Sequence, residues 1–105
     1  MADEQLQRLQ MLDHNLQQLA GQKQQFQAQM FEIENALKEL AGAPSAYKII
    51  GNVMVATDKD SLVKELNGRK ELIELRIASF EKQEKQMREK LTQLQQTVAK
   101  SMKKE

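Results

Sequence analysis

The sequence predicts an α+β fold that is mostly α-helical, with an antiparallel two-helix coiled coil joined by one β-hairpin. Two long stretches repeat apolar residues at the alternating three- and four-residue spacing of a heptad. A short apolar run with Gly-Asn at its centre separates them. With 4% aromatic and 30% charged residues, the chain has apolar material for a thin seam rather than a globular core. We therefore expect residues 1–105 to form one domain.

The first helix is predicted over residues 5–41. Its seam begins with Leu9 at heptad position a and Leu12 at d, and all seam residues but one are apolar: Leu9, Leu12, Leu16, Leu19, Lys23, Phe26, Met30, Ile33, Leu37 and Leu40. Gly42 and then Pro44 follow, in the order expected just past a helix end. The helix is therefore expected to stop before Gly42.

A β-hairpin is predicted over residues 46–57, where the sequence includes "YKIIGNVMVAT". Lys48 is the only charge inside the strands, so both faces are mostly apolar. Two strands alone are marginal in water, and their unpaired edges would promote aggregation. The hairpin must therefore pair with other subunits, through Tyr47, Ile49, Ile50, Gly51, Asn52, Val53, Met54 and Val55.

The second helix is predicted over residues 59–102, with Thr57 or Asp58 as its N-cap. All but two of its seam residues are apolar: Val63, Leu66, Lys70, Ile73, Ile77, Phe80, Glu84, Met87, Leu91, Leu94 and Val98. Two helices of similar length joined by a short hairpin fold back most simply as an antiparallel pair.

Lys23 and Glu84 interrupt the two apolar seams. Antiparallel pairing requires a constant sum of paired residue numbers, and sums of about 103 or about 110 both satisfy the heptad. In either register the two charges fall within about one layer of each other, so we predict that they are cross-helix partners that disfavour wrong registers. The alternative is that each side chain reaches water independently.

Composition and motifs exclude several functions. Lys and Arg number 16 against 15 Asp and Glu, so no global charge favours nucleic acid or an acidic membrane. The chain has no cysteine, no apolar run near the length of a membrane span and no signal-like N-terminus, so an intracellular, cytoplasmic protein is expected. The single histidine, His14, lies at a solvated position, and no phosphate loop, metal-ligand or catalytic spacing occurs. We therefore expect no enzyme activity, cofactor or metal.

Several apolar residues lie off the seams. Leu72 and Leu75 lie in the hairpin-proximal half of the second helix, whereas Leu6, Met11 and Met102 lie where both chain termini meet. Single exposed apolar residues are normal on protein surfaces. Grouped on fraying, glutamine-rich helix ends, however, they make an adaptable surface, and methionine suits a loosely specified partner.

The chain resembles a β-type prefoldin subunit of the archaeal kind. The resemblance rests on the segments "AYKIIGNVMVATDKDSLVKEL", "KELIELRI" and "EKQEKQMREKL" and on the presence of one hairpin rather than two. It implies a hexamer of two α-type and four β-type subunits, whose hairpins form a double β-barrel. It also implies ATP-independent capture of unfolded polypeptides by the distal coil ends and delivery to a group II chaperonin. The client-binding candidates carried over are Leu6, Leu9, Met11, Leu12, Leu94, Val98 and Met102.

A different class of function is also compatible with the heptads. The chain could be a structural or adaptor coiled coil whose off-seam residues bind one defined helical partner. A membrane-surface helix is less consistent with the sequence, because the apolar stripes are narrow and charged on both flanks.

Overall fold

The chain folds into two long helices with a two-stranded antiparallel sheet between them, as the sequence predicts. The structure is a computed structural model that describes residues 2–104. Its elements are α1 (Ala2–Gly42), β1 (Ala46–Ile50), β2 (Val53–Thr57) and α2 (Lys59–Lys104). Helix α1 begins nearer the N-terminus than expected, and Asp3 and Glu4 in its first turn favour that start because they complement the helix dipole.

The chain divides into two compact units, and each contains a segment of both helices. The first unit comprises Met1–Gln25 and Ile77–Glu105, and the second comprises Phe26–Arg76, which includes the hairpin. Every residue assigned to the two seams is buried or half-buried, with Ile73 and Val98 among the most buried. The five off-seam apolar residues named above, Leu6, Met11, Leu72, Leu75 and Met102, are exposed instead. The heptad pattern therefore identifies the buried stripe of both helices.

The C-terminus of α1 differs from the expected Gly-terminated end. Gly42 is the last helical residue and does not have a positive φ, so it does not form a left-handed cap. The Ala43 N–H donates to a carbonyl of the last turn at 3.2 Å. Lys59 Nζ donates to the carbonyl oxygens of Ala41 at 3.3 Å and Ala43 at 3.1 Å. A lysine from the start of α2 thus satisfies carbonyls at the end of α1, whose last turn has no basic residue of its own.

The hairpin closes through a two-residue turn, Gly51-Asn52. Ile50 pairs with Val53 and Ala46 pairs with Thr57 across the antiparallel ladder. Gly51 has a φ of 61°, and it is the only described residue with a positive φ. A type I′ turn needs a positive φ at both central residues, whereas type II′ needs it only at the first, which glycine favours. The backbone therefore matches a type II′ turn.

Helix α2 begins with a side-chain cap from Asp58. Its Oδ2 accepts hydrogen bonds from the Ser61 backbone N–H at 3.0 Å and from Ser61 Oγ at 2.9 Å. The Asp58 carbonyl accepts the first helical bond from the Leu62 N–H. Of the two candidate N-caps, Asp58 rather than Thr57 takes the role, because Thr57 remains paired in β2.

Candidate functional site: the hairpin surface and the helix ends

Both faces of the hairpin expose apolar side chains. The register places Tyr47 and Ile49 on one face with their partners Ala56 and Met54, while Lys48 and Ile50 share the other face with Val55 and Val53. All six large apolar residues of the strands are exposed, from 43% for Val55 to 70% for Ile49. Within the described residues the sheet has two strands, so each strand keeps one free edge. We call this set, Tyr47, Ile49, Ile50, Val53, Met54 and Val55, the hairpin surface.

An ion-pair cluster fixes the hairpin to α2. Lys48 Nζ lies 2.9 Å from both Oε1 and Oε2 of Glu65, and Arg69 Nη2 lies 3.1 Å from Glu65 Oε1. The hydrogen bond from Lys48, followed by the charges of Lys48 and Arg69, lowers the pKa of Glu65 below its ordinary value. The one charge inside the strands, on Lys48, is therefore paired within the subunit. The residues of the hairpin surface carry no charge.

An open groove continues the hairpin surface onto the neighbouring helical segments. Three elements supply its apolar lining. Tyr47 and Ile49 come from β1, Leu40 from α1, and Leu62 and Leu66 from α2. All of these residues belong to the second compact unit. Exposed apolar area at the hairpin thus extends beyond the strands themselves.

The client-binding candidates at the helix ends fall into two groups by exposure. Leu6, Met11 and Met102 are exposed, at 39%, 65% and 59%. The others lie on the seam: Leu9, Leu12 and Leu94 are half-buried and Val98 is 7% exposed. Seam residues would reach a client only where the last turns open.

The structure brings Met11, Leu12 and Leu94 together in one groove. Leu9 lines a separate groove. Sequence reasoning missed the polar part of the first groove, where Arg8 and Lys90 lie beside the apolar residues. The sequence carries little signal for it, because both residues occupy flank positions beside the seam and only the structure shows which flank residues of the two helices meet.

Lys23 and Glu84 are also brought together. Lys23 Nζ lies 2.8 Å from Glu84 Oε1, and Arg88 Nη2 lies 3.6 Å from Glu84 Oε2. Glu84 is 4% exposed, and its Oε1 is buried. This oxygen accepts no hydrogen bond of good geometry, so its contact with Lys23 is an ion pair rather than a hydrogen bond. The ion pair is compatible with both registers considered above, because a lysine side chain spans about one layer. Its energetic coupling stays a prediction.

Groups suited to chemistry are sparse in the part of the chain that the structure describes. His14 is exposed, and its Nε2 lies 3.2 Å from Nε2 of Gln18. Among residues 2–104 no cluster of His, Cys, Asp or Glu could hold a metal ion. No helix within the same range is both long and apolar enough to cross a membrane. The surfaces that stand out are therefore apolar contact surfaces.

Comparison with known proteins agrees with this arrangement. A family model described as "Prefoldin subunit" matches residues 3–105. The chain belongs to the prefoldin subunit family. Members of this family are chaperone subunits rather than enzymes, and they assemble with other subunits.

Individual relatives are prefoldin β subunits of archaeal species. The chain is 40% identical over 97 residues to the "Prefoldin subunit beta" of Sulfurisphaera tokodaii, covering 90% of this chain and 78% of that protein. It is 42% identical over 94 residues to the protein of the same name from Saccharolobus islandicus, covering 87% of this chain and 75% of that protein. The crystal structure of the prefoldin β subunit from Thermococcus strain KS-1 superposes with a TM-score of 0.90 at 33% identity, covering 95% of this chain and 90% of that one. The β-type resemblance seen in the sequence is confirmed.

Proposed function

We propose that residues 1–105 work as one domain, a β-type subunit in a prefoldin hexamer of two α-type and four β-type subunits. In this proposal the hairpins of the subunits form a double β-barrel. The observation that supports it best is the hairpin surface, which exposes both faces and both edges. Partner strands from other subunits would bury those faces and pair the free backbone groups.

The energetics favour such an interface. Burying the exposed half of a large aliphatic side chain contributes about 1 kcal/mol, and the hairpin surface offers several such side chains. Lys48 does not oppose burial as a free charge would, because Glu65 already pairs with it. Assembly would therefore gain apolar burial from each strand while burying few unpaired polar groups.

We further propose that the helix ends capture unfolded polypeptides without ATP. The residues assigned to this role are Leu6, Leu9, Met11, Leu12, Leu94, Val98 and Met102. Methionine is unbranched and polarisable, so exposed Met11 and Met102 can adapt to many apolar segments. Several weak contacts from the subunits of one hexamer would then add up to useful avidity without strong specificity at any single one.

We propose the remaining partners and the location from the family resemblance. The proposed hexamer would work in the cytoplasm and pass captured polypeptides to a group II chaperonin. The β-type resemblance to archaeal relatives supports this part of the proposal.

Mass measurement tests the assembly. The purified chain, alone and mixed with an α-type subunit, is examined by light scattering after size-exclusion chromatography. We expect a complex with the mass of two α-type and four β-type subunits in the mixture. A monomer of 12.1 kDa in both samples would contradict the proposed assembly.

Suppression of aggregation tests the capture step. The assembled complex carrying Met11→Gln and Met102→Gln is compared with a matched complex carrying Leu72→Gln and Leu75→Gln, whose side chains are similarly exposed, at 63% and 69%. Only the first pair of changes is expected to weaken protection of an unrelated unfolded protein. If the wild-type complex gives no protection, the adaptor alternative gains support. Equal loss in both variants would reject the helix ends as the capture site.

A further inference from the structure

One groove at the helix ends combines an apolar floor with two basic side chains. It lies within the first compact unit, between residues 8–15 of α1 and residues 90–97 of α2. Met11, Leu12 and Leu94 supply the apolar part. The complete lining is Arg8, Met11, Leu12, Asn15, Lys90, Gln93, Leu94 and Thr97, and it includes no carboxylate.

The two cations lie toward opposite ends of this groove. The helices run antiparallel, so the residue at the start of one lining segment lies beside the residue at the end of the other. Arg8 therefore shares one end with Thr97, and Lys90 shares the other end with Asn15. A helical segment of this length spans about 10 Å at 1.5 Å per residue. The apolar floor lies between the two positive charges.

Both cations are available for a ligand. The ion pairs of the described residues involve neither Arg8 nor Lys90. Two other basic residues of the same unit are engaged, since Lys23 and Arg88 both contact Glu84. Free cations beside an apolar floor are complementary to an apolar ligand that carries negative charge.

The neighbouring grooves of this unit have a different charge. One is lined by Leu9, Gln10, Asp13, Leu91 and Gln95, and its only charged residue is acidic. The other mixes both signs, with Lys23, Lys85 and Arg88 beside Glu81, Glu84 and Glu89. Net positive charge without an acidic lining residue therefore distinguishes the Arg8–Lys90 groove.

We infer that this groove selects apolar segments of non-native polypeptides that carry an acidic residue beside the apolar core. The inference rests on the proposed capture function and specifies the chemistry of its ligand. Apolar side chains would cover Met11, Leu12 and Leu94, while a carboxylate would accept charge-assisted hydrogen bonds from Arg8 or Lys90. An extended segment covers the length of the groove in about three residues, at about 3.3 Å per residue. Acidic residues flanking a short apolar core thus fit its two ends.

Three fluorescent peptides test the selection. They share one leucine- and valine-containing core, which is flanked on both sides by glutamate, by glutamine or by lysine. Binding to the full-length chain, in the oligomer that it forms, is measured by fluorescence anisotropy at low salt. Two partly exposed ion pairs predict that the glutamate-flanked peptide binds about threefold to tenfold tighter than the glutamine-flanked one. The lysine-flanked peptide is expected to bind most weakly, and the differences should shrink as salt is added.

Variants locate the preference in the groove. Arg8→Gln with Lys90→Gln should remove the preference for glutamate while leaving binding of the glutamine-flanked peptide within about twofold of wild type. The control, Lys82→Gln with Lys100→Gln, removes the same charge from exposed positions outside the groove. It should retain the preference. Circular dichroism establishes that each variant remains helical.

The possible outcomes distinguish failure of acidic-segment selection by the groove from failure of the proposed capture function. If wild type binds all three peptides equally, or if the control loses the preference as fully as the groove variant, the groove does not select acidic segments. Apolar capture by the helix ends would still stand. If wild type binds none of the peptides yet suppresses aggregation, the groove is not a capture site for short segments and the inference is again wrong. If aggregation suppression is also absent, the proposed function fails with it.

Discussion

The hairpin and the helix ends both expose apolar side chains, but they do so from different backbones. In the hairpin, residues on both faces are exposed and each strand has a free edge of backbone donors and acceptors. At the helix ends, all but the terminal turns satisfy their backbone groups within the helix, and the seam buries one stripe of apolar residues, of which Val98 is 7% exposed. The large apolar residues exposed there lie off the seam, and Met11 is 65% exposed.

This difference indicates whether each surface is suited to a permanent or a transient contact with another chain. Free strand edges with apolar faces favour aggregation unless partner strands cover them, so the hairpin suits a permanent interface. A helix end loses little by remaining in water, because water can satisfy the backbone groups of its terminal turn and its exposed apolar residues are few. It therefore suits contacts that form and break, as capture and release of a client require.

Charge introduced into the hairpin surface should have the largest effect. Ile49→Asp would bury a carboxylate in an apolar interface, at a cost of several kcal/mol, and is expected to dissociate the assembly. Circular dichroism should remain largely helical, because α1 and α2 do not depend on Ile49. Light scattering measures the mass. Met11→Asp, at a similarly exposed position, is the control and should leave the mass unchanged; an Ile49→Asp protein that keeps its full mass would show that the hairpin partners are misassigned.

Removal of one seam charge should have the next largest effect. Lys23→Met leaves Glu84 buried with only Arg88, at 3.6 Å, and should lower the free energy of unfolding by about 3 kcal/mol. Adding Glu84→Met should restore most of that loss, because no unpaired charge then remains. In the second unit, Glu34→Gln removes a longer and more exposed pair with Lys70, at 3.9 Å, and should change stability by less than about 1 kcal/mol. Chemical denaturation gives all of these values, and additive effects at Lys23 and Glu84 would mean that the two residues act independently.

Two glycines should respond to alanine with opposite signs. Gly51→Ala places a side chain at a φ of 61° and should cost about 1 to 2 kcal/mol. Gly68→Ala lies inside α2, where an added Cβ would meet no described atom within 4 Å apart from its chain neighbours and the backbone of its own helix, and should stabilise the helix by about 1 kcal/mol. Thermal unfolding measures both. A stabilising Gly51→Ala would show that the turn does not require a positive φ.

Acid should weaken the attachment of the hairpin to α2, with the smallest effect of the four. Lys48 holds the pKa of Glu65 below its ordinary value. The ion pair therefore contributes its full stability at pH values above the ordinary pKa of Glu65, and this stability is lost as the pH falls through the lowered pKa. Wild type should therefore be more stable than Glu65→Gln at neutral pH, and the difference should vanish in acid. Glu71→Gln, at an exposed position on the same helix, is the matched control. A difference between wild type and Glu65→Gln that persists unchanged below the lowered pKa would exclude the ion pair as its cause.

The periodic features of this chain could be predicted from its sequence, and the contacts between distant residues could not. Heptad spacing identifies the buried stripe from Leu9 onward, and alternation around Gly51 identifies the strands, because each depends on residues a few positions apart. The cap that Lys59 places on the end of α1 depends on where the hairpin returns the chain. Local spacing carries no information about that contact.

The candidate sites divide in the same way. The exposure of Met11 and Met102 could be predicted because both lie off a clear heptad seam. The charge of the groove between residues 8–15 of α1 and residues 90–97 of α2 could not be predicted, because it depends on which flank residues of two helices meet. Arg8 and Lys90 occupy flank positions where any polar residue is acceptable, so neither stands out in the sequence alone.

Tyr47 lies on the hairpin surface with 57% of its area exposed, and it is the only tyrosine in a chain that has no tryptophan. The tyrosine fluorescence of the chain therefore comes from Tyr47 alone. Intensity and anisotropy of that emission would report burial of the hairpin in the unmodified chain, without an attached dye and without interference from the helix ends. The same residue makes hairpin burial and peptide binding separately observable in a single sample.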